Sequence, residues 1–481
     1  MAFTVTRIIF VILGIVGTFL ALPFATSIVL GEGLKLTLSY AIPMAVSWLF
    51  AAVFFFAGKK KKMNLSTKAS FVTVALSWLF MGFLGAIPLY ASGAIPNATD
   101  AIFESISGFT TTGATILSEI ECLPRSINLW RCVMHWVGGM GIIVLTVALL
   151  PILGVGGFQL IKAETTGPEK GKLTPKITTT AKVLWFIYLG MTVIEAILLM
   201  IFGMDFLDAI SHAFSTLGTG GFSTKNNSIA SFNSAAIDWI CWTFMFLAGI
   251  NFSLYYYIFI KKWNDITGNT EFKVYIAITV IAAVLIGIFE SPAYGSFLKA
   301  LRYSFFQSST IISSTGFATA DFTTWSPASQ AVIFALLFIG GSSGSTAGGV
   351  KVIRWVVIAR QFKNEILKIM HPHGVFTIRL NKQVCRKDIV FTVTAFFFIY
   401  VLVVAVTTFF GAVFGLDILT AFTGAVTMCG NCGPGFNLLG PSCNYGFLAA
   451  PVKWLYSLVM IAGRLEFFTI AILFSPAFWK K

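Results

Sequence analysis

Charge is scarce in this chain. Asp, Glu, Lys and Arg make up 11% of its 481 residues, against roughly 25% in soluble globular proteins, which excludes an ordinary water-soluble fold. Histidine occurs only 4 times, and no metal-ligand spacing or nucleophile motif appears, which argues against a membrane enzyme. There is no Gly-x-x-x-x-Gly-Lys-Ser/Thr loop and no polar stretch long enough for a dinucleotide-binding fold. Control by ATP, ADP or NAD would therefore have to come from a second polypeptide. The 7 cysteines make no disulfide framework. Cys122, Cys132 and Cys443 are expected on the outer side, where a bridge can form, and Cys429 and Cys432 make a C-x-x-C, elsewhere a redox or metal pair.

Apolar residues are abundant, at 57%. With about 20 residues needed per span, the candidate spans are residues 3–30, 34–58, 70–92, 130–153, 182–203, 236–260, 273–290, 328–358, 388–414 and 452–478. The first is too long for a signal-peptide core and leads straight into another, so no cleavage is expected. A net charge of +14 would suit nucleic acid, but its distribution reads as topology. Residues 59–62, 162–182, 261–262, 351–387 and 480–481 carry the Lys and Arg clusters, and all fall on one side if the spans alternate. The positive-inside rule makes that side the cytoplasm and puts both termini there. Arg131 is placed outside, with Lys35, Arg125, Lys225, Lys299, Arg302 and Lys453. Two basic connections, 154–181 and 359–388, read as solvated loops or docking surfaces, and the alternation over 371–384 fits a small hairpin.

One short loop is written four times, at residues 107–115, 215–223, 312–319 and 428–436. Alignment puts Gly113, Gly220, Gly316 and Gly433 in one column, preceded by Thr112, Thr219, Thr315 and Cys432, at separations of 107, 96 and 117 residues. Cys432 thus stands where the other loops have threonine, which weighs against a redox pair. Each loop follows a half-apolar segment too short to cross a bilayer (98–110, 206–217, 298–313 and 418–427) and precedes a span. A short helix going in and a loop coming back is tolerated at membrane depth only where it is buried in protein or lines water. The expected fold is an all-α polytopic membrane protein. Four linked span, short-helix, loop and span units (68–160, 161–265, 266–386 and 387–481) surround a pseudo-fourfold pore, and residues 1–67 supply two extra leading spans.

Potassium is bound by replacing its water shell with oxygen ligands, and backbone carbonyls do this without fixed charge. They can ring an ion only where the chain nears an axis in unusual dihedrals, which glycine permits. The candidate ion ligands are Thr111, Thr112 and Gly113; Gly218, Thr219 and Gly220; Ser314, Thr315 and Gly316; and Asn431, Cys432 and Gly433. No Asp or Glu lies inside the loops, which disfavours a divalent-cation filter, while acids such as Asp100, Asp208, Asp321 and Asp417 sit at the mouth, where they concentrate cations.

These loops, with His-Trp-Val-Gly-Gly-Met-Gly-Ile at 135–142, His371-Pro372 and Arg379-Leu380-Asn381, resemble the Trk/Ktr/HKT superfamily of cation transporters over about residues 68–481. The extra leading pair of spans makes the bacterial TrkH/TrkG branch the most similar. The resemblance implies K+ as the transported ion, a homodimer of pore subunits in the lipid of the bacterial inner membrane, and gating by a cytosolic, TrkA-like nucleotide-binding ring. No organic cofactor and no nucleic acid are expected. In plant relatives a serine at the first filter glycine goes with sodium selectivity, so an all-glycine column points to K+. Leu217 and Gly218 stand where unit one has Thr110 and Thr111, and unit four has Asn431 and Cys432; the filter is expected to be asymmetric.

The eighth span is interrupted at 340–349, where Gly340, Gly341, Gly344, Gly348 and Gly349 stand among 4 hydroxyl residues. Each glycine costs a helix roughly 1 kcal/mol against alanine, so this run is either a movable plug below the filter, as the resemblance implies, or a packing kink. Arg464 lies mid-span, where a charge costs at least about 2.5–3.5 kcal/mol. It is expected to face the pore and hold carbonyls of the glycine run, or else to pair with an acid such as Glu195. His135 and His212 read as packing or hydrogen-bonding residues. The function expected is K+ uptake through a channel-like pore; an H+- or Na+-coupled transporter and a less selective K+/Na+ pathway stay open.

Overall fold

The computed structural model describes residues 2–58, 66–141, 177–381, 383–384 and 387–480. The 59–62 anchor, the 142–153 part of the fourth expected span and most of the 154–181 connection lie outside the described residues. What is described is helical, apart from a two-stranded hairpin in which Arg379–Leu380 pairs antiparallel with Gln383–Val384. That hairpin sits where the alternation of 371–384 placed one.

Among the described residues, six helices are long and apolar enough to cross a bilayer: Phe3–Val29, Leu34–Ala57, Lys68–Ala91, Thr179–Ile201, Thr270–Tyr294 and Ile389–Val413. Each of the last four is followed by a short helix: Ala98–Phe109, Phe206–Gly218, Phe297–Ile312 and Ile418–Gly430. At a rise of about 1.5 Å per residue these reach roughly 18–24 Å, short of a hydrocarbon core of about 30 Å. Local chemistry explains where they start. Asn97, Asp205 and Asp417 accept the first free amides of their helices, from Thr99, Asp208 and Thr420. Asp100 lies in the first turn of its helix and pairs with Lys453 at 2.6 Å. Buried hydroxyls turn back on their own helices: Thr110 donates to the Ile106 carbonyl, Thr216 to His212 and Ser308 to Ser304. Back-bonding of this kind lets part of the Ser and Thr content of these helices be buried in apolar surroundings with its donors paired.

The spans after the loops depart from expectation. The sequence reading made 236–260, 328–358 and 452–478 single spans with a break only in the second, yet all three are broken. Ala235–Ala248 bends by 92° into Phe252–Phe259, and Ala450–Arg464 bends by 116° into Phe468–Phe474. Pro327–Leu336 gives way to irregular chain before Val352–Met370. In the first unit Arg125–Gly139 ends in Met140 and a left-handed Gly141. Hydropathy misses the bends at 249–251 and 465–467, because each is only three residues long within otherwise apolar chain. The cue at the first bend is Asn251, whose side chain accepts from the Ser253 amide and starts the new helix.

Candidate functional site

Each short helix ends the same way. One residue turns left-handed: Thr111 at φ 54°, Thr219 at 52°, Ser314 at 54° and Asn431 at 51°. The next amide then reaches back five residues, from Thr112 to the Ser107 carbonyl, Gly220 to Ser215, Thr315 to Thr310 and Cys432 to Thr427, at 2.8–3.0 Å. This is a Schellman-type end, at which glycine is usual, and a non-glycine residue in that conformation costs roughly 1–3 kcal/mol. Two of the side chains reach other parts of the chain, which glycine could not do. Ser314 Oγ accepts the Gly348 amide at 2.6 Å, and Asn431 Nδ2 donates to Thr112 Oγ1 and the Met460 carbonyl at 3.0 and 2.9 Å.

The glycines come next, with φ of 74° at Gly113, 83° at Gly221, 86° at Gly316 and 79° at Gly433. The second loop is therefore shifted by one from the sequence alignment. Gly221, not Gly220, matches Gly113; Gly220 takes the place of Thr112, Thr219 that of Thr111, and Gly218 still belongs to the helix. A Cβ added at Gly113 would strike the Gly220 carbonyl oxygen, and one at Gly221 the Thr315 oxygen. At Gly316 it would lie 2.6 Å from the Cys432 oxygen, and at Gly433 2.6 Å from the Thr112 oxygen. Every glycine thus faces the same carbonyl of the next loop. The cycle closes from the fourth loop onto the first.

Behind this ring, the residue seven positions before each left-handed turn is Glu104, His212, Gln307 or Gly424. Glu104 accepts from Thr115 Oγ1 and the Ile116 amide, both at 2.9 Å, and forms a fully buried ion pair with Arg131 at 2.9 Å. Arg131 is thus a buried charge rather than one on a solvated loop. Its guanidinium lies over Phe222 and donates to the Ser223 carbonyl, so it supports two loops. His212 Nε2 and Ser223 Oγ are hydrogen-bonded at 2.8 Å, and Gln307 Nε2 donates to the Ala320 carbonyl at 2.9 Å. Gly424 has no side chain to offer. Thr423 Oγ1 accepts the Phe436 amide instead, and the Tyr445 hydroxyl donates to the Gly433 carbonyl at 2.5 Å. His135 stacks on Phe222 and meets Ser215 Oγ at 3.2 Å. Cys432 points its sulfur at the Ile311 carbonyl, and the described cysteines are free. Glu104, Gln307 and Tyr445 were not singled out from sequence; only Glu104 carried a signal, as an acid deep within a short apolar helix.

The 340–349 run has partners far apart in the chain. The Ser342 amide donates to the Gly249 carbonyl, and the Phe252 amide to Gly344. Thr346 Oγ1 donates to Ala248 at 3.2 Å, and the Gly348 amide to Ser314. Arg464 donates to the carbonyl of Thr346 at 2.8 Å and to those of Gly138 and Gly139, each at 2.7 Å. Its guanidinium thus binds carbonyls, and neither oxygen of Glu195 hydrogen-bonds to it. Glu466 pairs with Arg354 at 2.5 Å.

Comparison with known proteins agrees with this architecture. A family model described as TrkH, cation transport protein, matches residues 39–273 and 272–481. The Trk system potassium uptake protein TrkH of Halomonas elongata is 37% identical over 466 residues, covering 95% of each chain. The Escherichia coli protein of that name is 37% identical over 94% of this chain and 93% of its own, and the E. coli protein TrkG is 35% identical over 88% of each. The crystal structure of the potassium transporter TrkH from Vibrio parahaemolyticus has a TM-score of 0.88 at 33% identity, covering 100% of both chains. The chain belongs to the TrkH family of cation transport proteins.

Proposed function

We propose that this protein is the pore subunit of a K+ uptake system in the bacterial inner membrane, with the four loops as its selectivity filter. The observation that carries this is the closed ring in which Gly113, Gly221, Gly316 and Gly433 each face a carbonyl of the neighbouring loop. Carbonyls crowded round one axis are ligands for a desolvated monovalent cation. Four helix C-termini run into these loops, each worth about half a negative charge, and no carboxylate sits in the ring to favour a divalent ion. The relatives named above are potassium uptake proteins, which gives the monovalent cation its identity. The filter then comprises 111–113, 219–221, 314–316 and 431–433, with Gly218 left out, and the pair of spans within 1–67 stands outside the ring.

The 340–349 run is the gate, closed by Arg464. A guanidinium that caps several carbonyls also repels cations, so both effects hold the path shut. The basic connections face the cytoplasm together with both termini, the chain works as a homodimer, and a TrkA-like ring docks there to supply nucleotide control. Flux of K+, Rb+ and Na+ into proteoliposomes, with and without an imposed proton gradient, tests the reading. Preference for K+ and Rb+ is expected without need of a gradient; equal passage of Na+ would overturn the filter assignment.

A further inference from the structure

Glu271 has no role in the account above, yet it is placed to have one. It lies in the first turn of Thr270–Tyr294 and is only 6% exposed. Its Oε1 accepts the Ser343 amide at 2.7 Å and the Ile353 amide at 3.2 Å. The first amide belongs to the glycine run and the second to the opening turn of Val352–Met370, whose own N-cap, Lys351, makes no side-chain cap. The opening amides of a helix lack partners within it. Here the cap is delivered from another helix, and one oxygen ties the run to the helix that follows it.

The residue before Glu271 leads to the hairpin. The Thr270 amide donates to Asn381 Oδ1 at 2.9 Å, and Asn381, at φ 46°, forms the turn between Arg379–Leu380 and Gln383–Val384. Ile378 and Leu380 of this hairpin are buried in the same apolar cluster as Val352, Ile353, Ile312 and Tyr275. Hairpin, helix start and glycine run therefore pack as one body.

We infer that Glu271 is a positioning residue for the 340–349 loop and that the hairpin sets its place through the Asn381 to Thr270 hydrogen bond. The inference rests on reading that loop as the gate. The two ionic contacts divide the work chemically: Arg464 can only donate and takes a carbonyl, while an ionised Glu271 can only accept and takes amides. Lys351 stands between them, its amine donating to the Ala347 carbonyl. A polypeptide that moves the hairpin reaches the gate in two hydrogen-bonded steps, without entering the membrane.

The test is basal Rb+ flux of the full-length protein in proteoliposomes, with the K+/Na+ ratio measured alongside. Glu271→Ala and Asn381→Ala should each raise basal flux by about tenfold, through loss of the two amide contacts of Glu271 or of their support, at an unchanged ratio. Glu271→Gln and Asn381→Asp keep an acceptor oxygen in place and should stay near the parent value. The double alanine variant should not exceed Glu271→Ala alone, because the two act in series. Asn381 is on a partly exposed turn, so its variants read out the relay even where Glu271→Ala fails to fold. Raised flux in Arg464→Ala with parental flux in Asn381→Ala would leave the gate standing and overturn the relay. Parental flux in Arg464→Ala as well would overturn the gate reading and this inference with it.

Discussion

The ring of loops and the interrupted helix below it are built on opposite plans. In the ring one local design is repeated: a short helix, a left-handed residue, a back-reaching amide and a glycine against the next loop. Each loop is supported mainly by its own helix and its neighbour. The 340–349 run has no counterpart among the described residues, and its partners are scattered along the chain: Gly249 and Ala248, Ser314 and Glu271, Arg464, and through Arg464 the Gly138 and Gly139 carbonyls. The ring is thus a repeated design shared among equivalents, whereas the 340–349 run is a single junction; on the reading proposed above, selectivity belongs to the first and closure to the second.

The comparison can be broken hardest at Arg131. Arg131→Met strands Glu104 as an unpaired buried carboxylate, at a cost of about 3–5 kcal/mol. A large fall in thermal stability is expected, measured by the unfolding midpoint of purified protein; an unchanged midpoint would show that the pair supports neither loop.

Next come the glycines. Gly113→Ser and Gly221→Ser put a Cβ into a neighbouring carbonyl and should lower the K+/Na+ permeability ratio alike, by about tenfold for a lost ligand geometry worth ~1.4 kcal/mol. A fall confined to one of the two would contradict the register that equates them.

Arg464→Ala, or a shortened 340–349 run, should raise basal K+ flux and leave the ratio alone, and the combination should add less than the sum of the singles. A changed ratio would mean that the run belongs to the filter and that the two plans are not separate.

The smallest effect is expected at Tyr445→Phe. This keeps the ring against Phe103 and removes only the hydroxyl on the Gly433 carbonyl. A neutral hydrogen bond is worth about 0.5–1.5 kcal/mol, so the half-saturating K+ concentration should fall a few-fold as that carbonyl is freed, with a loss of stability no larger than that bond. Identical saturation curves would show that the carbonyl is not a ligand.

Much of the fold was legible because it is carried by short-range signals. The short helices lie close to the segments expected from apolar length and loop spacing, since a helix end is decided by the few residues around it. Residues 217–221 show where that runs out. Leu-Gly-Thr-Gly-Gly offers three glycines, and only the finding that Thr219 turns left-handed makes Gly221 the partner of Gly113. Arg131 could not be placed from hydropathy, because what buries it is Glu104, 27 residues away. The bends after Ala248 and Arg464 were missed because the helices on either side are apolar and together read as one span, whether straight or folded back.

The contact of Gly433 with the Thr112 carbonyl has a bearing on how the protein is made. The first loop must wait for about 320 further residues before its last neighbour exists, some 15–60 s at ordinary rates of ribosomal synthesis. Throughout that interval its carbonyls face a gap in the ring while the chain is already entering the bilayer. Nascent chains that stop short of the fourth loop should be held by the insertion machinery or degraded, and full-length protein should appear without a long-lived partial form.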